Sequence, residues 1–183
     1  GISRSFMKVY KNLFNEIASV ANLFLAWEIF KRDKRNKLDV MEFEQKLEQN
    51  VFQLYRQLRD QTYKHGPYHG FWIHDPKLRR IHKATVMDRV LHHAVFRILQ
   101  FIYDPTFIAS SFSCRVGKGT HKGVRTMAKM LRAVSQNNTQ PCYVLKCDVK
   151  KFFDSVDHQI LLSLLHQKIK DQKVSWLLEE IID

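Results

Sequence analysis

Cys142-Tyr143-Val144-Leu145-Lys146-Cys147-Asp148-Val149-Lys150-Lys151-Phe152-Phe153-Asp154-Ser155-Val156-Asp157-His158 is the stretch from which the rest of the chain can be read. Tyr143, Val144 and Leu145 form a short apolar run, which reads as a buried strand delivering Asp148 to its end. Phe152, Phe153 and Asp154 then turn the chain toward a helix starting near Asp157, a residue type suited to capping it. A carboxylate thereby comes to lie close in sequence to the phenyl ring of Phe153. A carboxylate oxygen suits Mg²⁺, which binds substrate phosphates while keeping part of its water shell, and an aromatic wall beside it can shape a nucleotide pocket. Taken alone, an aspartate after a strand is more often a turn or capping residue, so its surroundings must decide.

Upstream, Gly117-Lys118-Gly119-Thr120-His121-Lys122-Gly123 is the second chemically suggestive stretch. Its glycines let backbone approach a ligand closely, and Thr120 is placed to cap the helix that follows. His121 and Lys122 fall in that helix's first turn, where the dipole disfavours positive charge, so a phosphate there would offset them. It is not a Walker A loop, because Phe112 and Gly119 stand where that motif needs a glycine and a hydroxyl residue.

Further upstream, Gly66-Pro67 and Asp75-Pro76-Lys77 are turn chemistry. They bracket residues 70–74, an expected strand, and 78–84 should return antiparallel to it as a hairpin. On the return strand Arg79, Ile81 and Lys83 share one face and Arg80 and His82 the other, so one face offers two cations around an apolar side chain. Residues 86–101 read as a core helix with Val90, Leu91, Ala94, Val95, Ile98 and Leu99 inward, ended by Asp104-Pro105. Asp88 and Arg89, near its start, are assigned to structure.

The N-terminal third is helical and shows no chemistry. Phe6, Tyr10, Leu13, Ile17, Ala21 and Phe24 mark one amphipathic helix, and Val40, Phe43, Leu47, Val51, Leu54 and Leu58 a second. Lys31-Arg32-Asp33-Lys34-Arg35-Asn36-Lys37 separates them as an exposed basic linker, and Asp39 with Glu42 resembles a capping box.

The chain has 183 residues, 45% of them hydrophobic, enough for one sizeable domain or two small lobes. Its 30 Lys and Arg against 18 Asp and Glu give a net charge of +12, which favours a polyanionic partner. Three cysteines without a Cys-x-x-Cys pair argue against a disulfide framework and a zinc knuckle, and no His-x-x-x-His pair has a third ligand nearby. Without a long apolar run or a signal-peptide pattern, a soluble cytoplasmic chain with no membrane partner is expected.

Four segments carry a resemblance. Lys77-Leu78-Arg79-Arg80-Ile81, Asp88-Arg89-Val90-Leu91-His92-His93-Ala94, Ser111-Phe112-Ser113-Cys114-Arg115-Val116-Gly117-Lys118-Gly119-Thr120-His121 and the stretch 148–158 occur in the order and spacing of bacterial retroelement reverse transcriptases, such as those of group II introns, diversity-generating retroelements and retrons. The resemblance implies an α+β fold: a helical N-terminal region over 1–66, fingers over 67–140 with a hairpin and supporting helices, and a truncated palm sheet over 141–183. It also implies RNA-directed DNA synthesis with Mg²⁺ in a two-metal site, an RNA template, a DNA or RNA primer, and deoxynucleoside triphosphates.

By the same resemblance Asp148 and the Val149 carbonyl are metal ligands, and Phe153 is the gate that excludes a ribose 2′-hydroxyl. Arg79 clamps the nucleotide's phosphates, as bidentate guanidinium geometry allows, and Lys77, Lys83 and Lys151 add charge there. Arg115, Gly117, Lys118, Gly119, Thr120, His121 and Lys122 lie beside the template. The sequence departs from many relatives at His74 and Asp75, where they carry a lysine near the turn. The second carboxylate pair of such enzymes, in an aromatic-x-Asp-Asp hairpin, is expected roughly sixty residues after Asp148, beyond Asp183, so this chain alone is expected not to polymerise. A palm strand lacking a neighbour would leave an edge through which two copies could pair. Two other classes fit the same composition: a nucleic-acid-binding module without chemistry, and a protein-interaction scaffold.

Overall fold

Trp27 is fully buried, stacks on Phe43 at 5.1 Å and lies 5.9 Å from Phe30, and the first part of the chain folds around this aromatic nucleus. The computed structural model describes residues 8–182. The helices are α1 (Phe14–Ile17), α2 (Val20–Phe30), α3 (Leu38–Gln45), α4 (Leu47–Arg59), α5 (Val86–Tyr103), α6 (Thr120–Val134), α7 (His158–Lys168) and α8 (Gln172–Ile182). Strands β1 (His69–His74) and β2 (Leu78–Lys83) pair antiparallel, with Phe71 opposite Ile81 and Ile73 opposite Arg79. The architecture is α+β, as expected. Two compact units result: one joins residues up to Leu99 to those from Asp157 onward, and the other is Gln100–Val156. Among the described residues no helix is long and apolar enough to cross a membrane.

In the first unit Ile17, Leu23, Val40, Val51, Leu54, Leu58, Val90, Leu91, Val174 and Leu177 are excluded from solvent. Each such side chain contributes about 1.5–3 kcal/mol relative to exposure. Several polar groups that enter this interior meet specific partners, whereas Trp27 Nε1 and His166 Nε2 are buried without a hydrogen bond among the described residues. Asn22 donates through Nδ2 to the carbonyls of Ile17 (2.9 Å) and Ala94 (3.1 Å) and accepts from Arg97 Nε (3.0 Å), fixing α2 against α5. Asp171 joins the ends of the unit: Oδ2 accepts from the Phe14 amide and Oδ1 from those of Lys173 and Val174. Alongside, Tyr10 and Ile169 form a parallel bridge.

Asp88 belongs to structure, as its sequence position suggested. Thr85 precedes α5, accepts from the Asp88 amide at 3.3 Å and donates its hydroxyl back to Asp88 Oδ2, a reciprocal cap. Tyr63 donates its hydroxyl to Oδ1 at 2.7 Å and the Gly66 amide donates to Oδ2 at 3.2 Å. Burial pushes the carboxyl upward in pKa, but the bonds from Thr85 and Tyr63 and the nearby His65 outweigh it and hold it below the usual range. Gly66 is required by contact: a Cβ there would meet Thr85 Cγ2 at 2.8 Å and Asp88 Oδ2 at 2.9 Å. Beside this network His65 and His92 stack, with centroids 5.2 Å apart and Nε2 atoms 3.2 Å apart.

Several expectations require correction. Each long N-terminal helix is two helices. Ser19, extended at φ −62° and ψ 140°, caps α2 by accepting from the Asn22 amide, and Lys46 at φ −121° and ψ 33° separates α3 from α4. Phe6, the first apolar position of the expected helix, lies outside the described residues. Asp39 caps nothing: Lys37 precedes α3, while Asp39 accepts from Lys83 Nζ at 2.7 Å and Arg89 Nη2 at 2.6 Å. Residues 143–146 form no strand, and Tyr143 is 95% and Leu145 88% exposed. A strand is stabilised by cross-strand partners, and none pairs with this run among the described residues. The sheet edge on which self-association was premised is therefore absent there.

Candidate nucleotide and nucleic-acid interface

On the hairpin of the first unit the pleat places Arg79, Ile81 and Lys83 on one face, as the alternation required, opposite Ile73, Phe71 and His69. Arg79 is exposed, as is Lys77 in the turn, and neither forms an ion pair among the described residues. Lys83 is tethered by Asp39. Burial raises the pKa of the Asp39 carboxyl, yet hydrogen bonds from Lys83 and Arg89 outweigh it and keep the group below its ordinary value. One cation of the face is thus anchored to α3, and Arg79 stays free to meet a ligand.

In the second unit the glycine-rich loop is held by Arg115. Its Nε donates to Asp104 Oδ1 at 2.7 Å, Nη1 to the carbonyls of Ile108 (3.1 Å) and Ser111 (3.2 Å), and Nη2 to the Asp104 carbonyl (2.9 Å) and Oδ2 (3.2 Å). These bonds match the five donors of a guanidinium, so Arg115 braces the loop from within. Gly117 and Gly119 take φ of +69° and +84°, the left-handed region that favours glycine, although nothing would crowd a Cβ at either. Gly119, not Thr120, precedes α6, and no side chain caps the helix; Thr120 is its first residue. Lys118 Nζ donates to the Ala109 carbonyl at 2.7 Å and Lys122 Nζ to that of Gly117 at 3.1 Å, while His121 is exposed.

The Asp148 segment is open. Asp148 is exposed, Val149 is 62% and Phe153 86% exposed, and the Phe152 and Phe153 rings meet edge to face at 5.4 Å. Lys151 has φ of +50°, a left-handed turn that sends the chain into a 3-10 turn over Phe153–Ser155, closed by the Ser155 amide donating to the Lys151 carbonyl at 3.0 Å. In the first unit Asp157 caps α7 as expected, accepting from the Ile160 amide at 2.9 Å. No group of three or more His, Cys, Asp or Glu able to hold a metal occurs among the described residues.

The predicted site residues thus fall into three sets, each local: Lys77, Arg79 and Lys83 on the hairpin; Arg115 with 117–122 in the loop and first turn of α6; Asp148, Val149, Lys151 and Phe153 around one turn. Sequence reasoning overlooked the Asp104–Arg115 brace. Asp104 reads simply as a residue before proline, and nothing local links it to an arginine 11 positions on.

No protein-family model matches the chain. It is similar to the group II intron-encoded protein LtrA of Lactococcus lactis subsp. cremoris, 28% identical over 138 residues that cover 74% of this chain and 22% of that protein. It is similar also to nuclear intron maturase 1, mitochondrial, of Arabidopsis thaliana, 29% identical over 56% of this chain and 14% of the maturase. Protein YkfC of Escherichia coli is 26% identical over 58% of this chain and 27% of its own length. The chain therefore spans about a quarter or less of the length of these relatives.

Proposed function

From the premise that the chain is related to the group II intron-encoded proteins and intron maturases, as a reverse-transcriptase-related polypeptide of retroelement type, we propose that it serves RNA-directed DNA synthesis. In that role it handles an RNA template, a primer and a deoxynucleoside triphosphate. Kinship over 138 residues carries this reading. The free Arg79 and the glycine-rich basic loop agree with it.

Asp148 is an exposed carboxylate with the Val149 carbonyl next to it in the chain, and Mg²⁺ is held by one or two carboxylates together with phosphates and water, so these donors would supply one side of such a site. Mg²⁺ bound there supplies neutralisation of charge on the phosphoryl oxygens. On the hairpin Arg79 offers its planar fork to a triphosphate, with Lys77 and Lys83 on the same element, and in the other unit Lys151 adds positive charge beside Asp148. The primer 3′-hydroxyl oxygen bonds to the α-phosphorus as the bond to pyrophosphate breaks. Phe153 offers a 2′-hydroxyl no hydrogen bond and occupies its space, so a ribonucleotide loses on polarity and on shape. The 183 residues contain no Asp-Asp pair, so the chain by itself binds primer-template without extending it.

Primer extension on an RNA template with Mg²⁺ and deoxynucleotides tests the reading. It should be run on the 183-residue chain, on the longest form in which the protein is expressed, and on that form with Asp148→Ala. Extension by the long form alone, with equal primer-template binding by all three, is expected. Extension by the Asp148→Ala protein at an undiminished rate would refute the assignment.

A further inference from the structure

The second unit has an unusual charge distribution. Between Asp104 and Asp148 the sequence contains no acidic residue, while it carries Arg115, Lys118, Lys122, Arg125, Lys129, Arg132 and Lys146. Arg115 is satisfied by Asp104, the one ion pair of this unit among the described residues. The other cations have no acid within the intervening sequence to meet.

Five of the basic residues, counting histidine, lie on α6 and share a face. At 100° per residue His121, Lys122, Arg125, Lys129 and Arg132 occupy an arc of about 100°, and Val124, Met127, Met130, Leu131 and Val134 lie on the opposite side. All five are exposed, and from Lys122 to Arg132 they extend about 15 Å along the axis. Cations three and four positions apart destabilise a helix by a few tenths of a kcal/mol per pair. A docked polyanion would remove that repulsion.

We propose that this face of α6, centred on Arg125, Lys129 and Arg132, is a docking strip for the phosphate backbone of RNA, read without regard to sequence. The choice of RNA among polyanions rests on the function proposed above. The strip moves the principal phosphate contacts off the loop: Arg115 is consumed in bracing it, and Lys118 and Lys122 each spend a donor on a loop carbonyl. A bilayer surface is the competing partner for a basic amphipathic helix. The composition of α6 argues against it, because the helix carries no Trp, Phe or Tyr, the residues by which interfacial helices enter a bilayer.

Binding of a fluorescein-labelled single-stranded RNA by the 183-residue chain, followed by anisotropy across a salt series, decides the matter. Arg125→Ala/Lys129→Ala/Arg132→Ala removes three phosphate contacts, so the slope of log K against log salt should become shallower by about 2. Alanine favours helix, and the corresponding triple glutamine variant, which keeps side-chain bulk, should give the same shift. An unchanged slope in both variants, with RNA still bound, overturns the strip and leaves the RNA-handling function standing. Absence of RNA binding by the unmodified chain overturns both. Sedimentation with phosphatidylserine vesicles that is lost in Met127→Asp/Met130→Asp, with an RNA salt slope unaffected by the triple variants, assigns the helix to a membrane surface and likewise overturns the strip.

Discussion

His92 offers a test of the packing that roots the hairpin. The His65 Nδ1 lies 2.7 Å from the Gly66 carbonyl oxygen, and its Nε2 stands 3.2 Å from the Nε2 of His92, so the two rings share one polar contact inside the packing. Burial first, and then the facing His65, His93 and Arg89, push His92 down to about 4, with Asp88 opposing them. The unfolded chain has the ordinary value of about 6.5 and binds the proton more readily between the two values. Stability is therefore complete above pH 6.5 and is lost as the pH falls toward 4, at up to about 1.4 kcal/mol per pH unit. Between pH 7 and pH 5 the loss amounts to about 2 kcal/mol from this one imidazole. Urea denaturation across that range, for the natural chain and for His92→Phe, measures it. Phenylalanine retains a stacking ring and cannot titrate, so its curve should be flatter by that amount, whatever the carboxylates contribute to both proteins. Parallel curves would refute the reasoning.

Two further perturbations probe the supports of the candidate interface. Gly66→Ala sets a methyl group against Thr85 and Asp88 and should cost about 1–3 kcal/mol, read as a lowered urea midpoint; an unchanged midpoint would mean that the contact relaxes freely. Arg115→Lys replaces a five-donor fork with a single ammonium, so limited proteolysis should cut residues 104–119 faster, and equal resistance would remove Arg115 as the brace.

What was legible in the sequence was local. The hairpin followed from two proline turns and alternation, α5 from its apolar period and Asp104-Pro105, and the α7 cap from Asp157. Ser19 carried a capping signal that the longer apolar period obscured. What escaped depends on partners distant in the chain. Asp39 has the spacing of a capping box with Glu42, but Arg89, 50 residues away, and Lys83 compete for its carboxylate and win. The run at 143–145 has strand composition, yet composition cannot supply a neighbour to pair with. Arg115 carried the motif position of a template contact, while its donors are taken up by a carboxylate and carbonyls that only the folded loop brings to it.

The joining of the chain's two ends in the first unit bears on how the polypeptide is made. The amide of Phe14 is completed by Asp171, and the Tyr10 backbone by Lys168 and Lys170. The amide of His65 is met by Glu180. These partners follow by more than a hundred residues the groups they satisfy, so the contacts close only after the intervening chain has been made. Closing so long a loop is a non-local step, and such steps slow folding.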